Sequence, residues 1–327
     1  MSYLRAVRPR GRSVGMFVLG VLLLVASVRA NHGPGTSGGG SSTASGETLK
    51  PGSFDIDLRV DYTQFEDISR AGAERRAIQS DEFDALKNAT VTTLSLAYGV
   101  VENLQVGGAI GYYFGNDFID AEADGLGGAE SATADPEGLT DLSLNAKYRF
   151  IQGAPGNIAV IGGVIVPTGR DDVRLDNGES LEPSSQPGTG AWAFQLGLAY
   201  SRFLTSQITV DGSAIYTLRT EHDDFKVGDR LDLGAALAYR LTPSIKTFPN
   251  WSIFGEVNAI WLGKDRDEGQ DNPNSGGWTV YLTPGCRVRL NEHLAVTVAP
   301  SVPVLQELNG DQIESRFKLA VTLSYSY

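Results

Sequence analysis

The chain has 327 residues, with 27 lysine and arginine against 39 aspartate and glutamate residues and a formal net charge of −12 at pH 7. That acidity excludes a nucleic-acid partner, because phosphate binding needs the opposite sign. One cysteine, Cys286, excludes an intrachain disulfide and a metal centre of clustered thiolates, and 39 glycines beside 2 methionines suit an exported, strand-rich protein.

Arg5, Arg8, Arg10 and Arg12 precede an apolar stretch from Val14 to Val28, and Ala30 closes a small-residue cleavage site. This order predicts a secretory signal over residues 1–30, since the stretch is short against the roughly 20 residues of a spanning helix. No cysteine near the cut suggests a lipid anchor, and Pro9 and Gly11 interrupt the arginines, so there is no twin-arginine pair. Cleavage removes five of the 27 basic residues, leaving 22 against 39 acids, a net of −17. Residues 31–52 follow as a Gly/Ser-rich tract too polar to bury a core, expected as a disordered periplasmic leader.

From residue 53 onward the chain alternates. FDIDLRVDY (54–62) puts Phe54, Ile56, Leu58, Val60 and Tyr62 on one face and Asp55, Asp57, Arg59 and Asp61 on the other. The same period recurs at 93–100, 104–114, 140–150, 157–167, 191–201, 208–218, 230–241, 251–262, 278–290, 294–302 and 317–327, twelve segments in all. Each is close to the roughly 9 to 11 residues that cross a bilayer as a tilted strand. Short turns at 100–103, 151–156, 204–207 and 290–293 trade places with longer stretches at 65–89, 115–138, 168–190 and 263–277. The expectation is one all-β domain over 53–327: a transmembrane antiparallel up-and-down β-barrel of about 12 strands, with both termini periplasmic.

Aromatic positions sharpen this reading. On the greasy parity, Phe54, Tyr148, Phe150, Tyr200, Tyr239, Trp251, Tyr325 and Tyr327 fall at one end of the strands. Tyr62, Tyr112, Phe114, Trp192, Phe194, Tyr216, Trp261, Trp278 and Phe317 fall at the other. Two girdles of rings are what membrane interfaces select, so the outward face is expected to meet outer-membrane lipid and lipopolysaccharide. Tyr113, Phe254 and Tyr281 break parity and should point inward. The closing FKLAVTLSYSY, with Phe317, Leu323, Tyr325 and Tyr327, resembles the terminal strand that barrel-assembly machinery reads as an insertion signal.

The opposite parity is expected to line a lumen. Its cations are Arg59, Lys147, Arg149, Arg219, Arg230, Arg240, Arg287, Arg289, Arg316 and Lys318, and its anions are Asp55, Asp57, Asp61, Asp141, Asp211, Asp232 and Glu256. They either pair across the bore and fill it or form ladders that screen small solutes. Arg316 and Lys318 are expected to meet Asp55 to Asp61. Small inward residues, Gly107, Ala109, Gly111, Gly163, Gly197, Ala199, Gly234, Ala236 and Ala238, argue for some open bore. A hydrolase would need His222 beside Ser184, Ser185 or Ser275. The glycine runs at 38–40 and 125–128 open no helix, so no phosphate-binding cofactor is expected.

GLTDLSLNAKYRF (138–150), VIVPTGRDD (164–172) and GTGAWAFQLGLAYS (188–201) carry a resemblance. Gly138, Leu139, Asp141, Lys147 to Phe150, Pro167 to Gly169 and Gly188 to Gly190 resemble the outer-membrane barrel family named for the meta-pathway of phenol degradation. The resemblance implies an outer-membrane barrel for uptake of aromatic or other small hydrophobic compounds and brings no binding residues with it. The expected function is a passive channel for a small-molecule solute. The alternatives are a closed barrel acting through acidic surface loops and a membrane-lipid hydrolase.

Overall fold

The structure is a computed structural model and describes residues 40–327. The expected signal peptide and residues 31–39 lie outside the described residues. In chain order the elements are β1 (Phe54–Phe65), α1 (Arg70–Ser80), β2 (Glu82–Val101), β3 (Leu104–Ala123), β4 (Ala129–Ala134), β5 (Glu137–Leu139), β6 (Leu142–Ile151), β7 (Asn157–Val166) and β8 (Ala193–Phe203). They continue with β9 (Ile208–Arg219), β10 (Phe225–Lys226), β11 (Arg230–Arg240), β12 (Asn250–Leu262), β13 (Arg266–Asp267), β14 (Gln270–Asp271), β15 (Gly277–Arg289), β16 (Leu294–Leu308) and β17 (Ser315–Ser326).

All twelve alternating segments become wall strands. β1, β2, β3, β6, β7, β8, β9, β11, β12, β15, β16 and β17 pair antiparallel with their neighbours, and β17 returns to β1 to close the ring. The two faces then separate as the parity requires. Leu94, Leu96, Leu196, Leu198, Leu237 and Leu323 are exposed on the outside, while Asp211 and Glu256 inside are each only 1% exposed. A greasy exterior around a polar interior reverses the order of a soluble protein and matches a barrel in lipid. Phe54 stacks on Tyr327 at 5.5 Å between centroids in one girdle, and Tyr112 meets Phe114 at 4.7 Å in the other. Phe254 and Tyr281 are buried inside as their parity demands, and Tyr113 is half-buried.

The stretches 65–89 and 115–138 are far more ordered than loops. β2 and β3 run 20 residues each, about twice what a crossing needs, and project beyond the wall as a hairpin. Alternation explains it: Phe83 and Ala85 on β2 and Ile119 and Ala121 on β3 form an apolar face that Ala73 and Ala77 of α1 cover. Ser69 caps the helix, its Oγ accepting the Gly72 N–H at 3.2 Å, and the spacing of four aligns the two alanines. Phe118 and Ala132 gather Val173, Leu175 and Leu181 from the 168–190 segment into a second apolar cluster. Together they make a folded cap at the loop end of the barrel, opposite the Phe54 end of β1 and the Ser326 end of β17.

One seam of the wall is weakly paired. The register sets Pro284 opposite Pro300, neither of which has an N–H to give, and the ladder lapses between Leu282↔Val302 and Cys286↔Val298. Thr283 Oγ1 bonds Ser301 Oγ across the lapse at 2.7 Å. Beyond Ser301↔Lys318, β16 and β17 part, and Gln306 Oε1 accepts the Ser315 N–H at 2.9 Å in place of a ladder partner.

Phe83 is 1% exposed, so Phe83→Ala should destabilise the cap by about 3 kcal/mol. Limited proteolysis is the check: cleavage within 66–90 should quicken while the barrel keeps its heat-modifiable migration.

Candidate functional site

The bore is not left to water. Residues 40–50, expected as part of a free and disordered leader, lie inside the barrel with no regular secondary structure. The N–H groups of Ser41 and Ser42 point at the Glu256 carboxylate, at 2.9 Å to Oε2 and 3.1 Å to Oε1, and the Thr43 N–H and hydroxyl donate to the same Oε1. Successive amides around one anion form a nest. Arg287 Nη2 donates to the Gly40 carbonyl at 3.1 Å and Arg59 Nη1 to the Ser41 carbonyl at 2.6 Å. Farther along, Ser201 Oγ accepts the Gly46 N–H at 2.8 Å, Lys147 Nζ donates to the Ser45 carbonyl at 3.2 Å, and Gln105 Oε1 accepts the Leu49 N–H at 3.0 Å.

Composition misled here for a physical reason. A tract with few apolar residues cannot build its own core, but a polar lumen supplies the partners that its backbone needs, and its Leu49 is buried. Size matters equally: no side chain from Gly35 to Gly46 is larger than threonine. A Cβ on Gly46 would lie 2.4 Å from the Asn157 carbonyl oxygen, and one on Gly99 would lie 2.0 Å from that of Lys50. Such approach to the wall is open only to glycine.

The charged residues of the inward parity divide by depth. Arg59 and Asp61 form a two-bond pair at 2.7 and 2.8 Å, and Arg230 and Asp232 repeat it at 2.7 and 2.7 Å. Asp211 accepts from Ser201, and Asp55 accepts from Ser326. Asp57 shares a small cavity with Arg59 and Arg287. Arg149, Arg240 and Arg289 sit at the terminal rim, donating to the carbonyls of Glu102, Ser206 and Glu292. Arg219 donates to the Gly228 carbonyl near the loop end.

Three residues depart from the expected arrangement. Asp141 holds loops together: Oδ1 accepts the Gly169 N–H at 2.9 Å, and Oδ2 accepts the Thr189 N–H and hydroxyl, each at 3.0 Å. It thereby joins the P-T-G and G-T-G elements, whose Gly169 and Gly188 touch closely enough to bar any side chain. Arg316 pairs with Glu66 at 3.0 Å and Glu314 at 3.9 Å, because β1 and β17 slip register between Gln64 and Phe65. Lys318 stays inside, but over the Tyr281 ring at 4.2 Å and not on Asp55 to Asp61.

A cavity of about 320 Å³ opens at the loop end over Arg219 and Arg230, with Glu82, Asp84, Glu182 and Asp265 on its walls. Register puts Glu82 opposite Glu122 and Asp84 opposite Asp120, and burial, joined by the facing Asp120, holds the Asp84 carboxyl well above the usual carboxylate range. His222, 3.5 Å from Asp223, stands apart from this cavity. Ser275 Oγ donates to the Asn272 carbonyl at 2.9 Å, and Ser184 Oγ contacts Glu182 at 3.4 Å.

Burial, joined by Glu82, Asp265 and Asp120, pushes the Glu182 carboxyl from 4.5 up to about 7. A group raised on folding binds more protons folded than unfolded, so its support for the cap is present in acid and lost as pH rises through the folded value. The 168–190 segment should therefore resist protease longer at about pH 5 than at about pH 8, and Glu182→Gln should flatten that difference.

The fold has solved counterparts. The COG4313 outer membrane channel from Pseudomonas putida F1 superposes with a TM-score of 0.58 at 14% identity, covering 86% of this chain and 97% of that one. The beta domain of the Bordetella autotransporter BrkA gives 0.47 at 13% identity over 85% and 100%, and the NanC porin gives 0.44 at 9% over 83% and 98%. No curated protein matches the chain. The family model described as "Putative MetA-pathway of phenol degradation" matches residues 31–299, and the protein belongs to that family, as a bacterial outer-membrane β-barrel.

Proposed function

We propose that the protein is a passive channel for small molecules, with both termini in the periplasm, the cap outside, and residues 40–50 narrowing the bore. The threaded segment carries this reading. It is held by hydrogen bonds to side chains and not by an apolar core, so water and polar solutes compete for the same partners. The paired charges Arg59–Asp61 and Arg230–Asp232, with Lys147, Arg287 and Lys318, would set selectivity. Inward Ile215, Ile260 and Tyr281 beside them support apolar or aromatic bodies among the solutes.

Planar-bilayer recording of the refolded mature chain tests the proposal. A small conductance is expected, rising several-fold in Glu256→Ala, which removes the acceptor for three successive amides. Silence of both proteins across salt and pH would defeat it. The acidic cap supports a second reading, a closed barrel that binds at the cell surface. Deleting 168–190 separates the two, since lost adhesion with unchanged permeability favours the second. A hydrolase gains no support from His222, whose backbone exchanges hydrogen bonds with Phe225.

We also assign the closing strand to assembly. Phe54 and Tyr327 exchange two backbone bonds of 2.9 Å, the last rung of the closing ladder, and Tyr325 and Tyr327 stack near His293 at 5.8 and 5.9 Å. Deleting Tyr327 removes both bonds, worth about 1 kcal/mol each, and a girdle ring. Its outer-membrane level in fractionated cells should fall markedly.

A further inference from the structure

Between Glu256 and the loop end, the lumen widens into a cavity of about 240 Å³, below the roughly 300 Å³ at which drug-sized sites begin. Two of its cations are already neutralised by their own strands. Asp61 grips Arg59, and Asp232 grips Arg230, each through two bonds from a neighbour two residues away. Glu256 is turned to the amide nest, where it also accepts from Asn258 at 3.0 Å.

Lys318 differs. Its ammonium lies over the Tyr281 ring, and among the described residues it makes no ion pair with a carboxylate. Of the cations lining the cavity, Lys318 is the one free to pair with a single incoming anion. Ile215, Ile260 and the Tyr281 ring give it an apolar side, and Thr283 and Ser42 give it neutral hydrogen-bonding groups. One charge, one apolar face and a small volume suit a monoanion with a flat apolar body better than a multiply charged anion or any cation.

We propose that this cavity is a binding site for small monocarboxylates of the benzoate kind, with the carboxylate on Lys318 and the ring on Ile215, Ile260 and Tyr281. The proposal rests on the channel reading only in requiring that solutes reach the lumen.

The test is equilibrium binding to the refolded mature chain in detergent micelles, with benzoate, benzylamine and benzyl alcohol as probes and protein-free micelles subtracted. Benzoate should bind about tenfold or more tighter than benzylamine, a difference of one ion pair. Lys318→Met should remove that preference, and Lys318→Arg should retain it. Equal binding of benzoate and benzylamine to the wild-type chain overturns the site without any variant, as does a Lys318→Met protein that keeps the preference. If benzoate binds while bilayers stay silent, the channel reading falls and the site stands. If bilayers conduct while benzoate fails to bind, the site falls alone.

Discussion

Everything in this molecule depends on closing a ring of backbone hydrogen bonds. In lipid an unpaired amide finds no water, so a sheet survives only without edges. The β1–β17 ladder from Asp55↔Ser326 to Gln64↔Phe317 supplies that closure. Where prolines remove donors between β15 and β16, Thr283 reaches Ser301 across the wall, and where β16 and β17 part, Gln306 serves Ser315. Closure also forces the polar parity inward, which creates a second problem inside.

A bore lined by Asp211, Glu256, Arg287 and Lys147 has charges that must be satisfied. The chain answers partly within each strand, as in Arg59–Asp61, and partly with its own N-terminal segment. Glu256 accepts three backbone amides there, while Arg59 and Arg287 take the carbonyls. Wall and segment thus satisfy one another. Among the cations lining the cavity beyond Glu256, Arg59 and Arg230 have their own aspartates, while Lys318 lies over the Tyr281 ring.

Outside the membrane the same alternation continues to a different end. On the extended β2–β3 hairpin one parity packs against α1 and the other stacks acid opposite acid around the loop-end cavity. Asp141 tethers the segments after β7 by capping Gly169 and Thr189. The P-T-G and G-T-G motifs are thus joints of the cap, while Lys147 to Phe150 lie toward the terminal rim.

The chain's own sequence determined the barrel. Period-two alternation, ring positions at strand ends and the inward parity breaks at Phe254 and Tyr281 are local facts, and lipid outside with polarity inside follows from them. The same locality failed for residues 40–50, because a Gly/Ser tract carries no pattern of its own, and its order comes entirely from side chains brought around it by closure. It failed again for Asp141, Arg316 and Lys318, which share the inward parity but take their partners from a loop latch, a register slip and a facing ring. Alternation says which side of the wall a residue occupies. Only the tertiary structure decides what stands opposite it, since that depends on strands far apart in the chain.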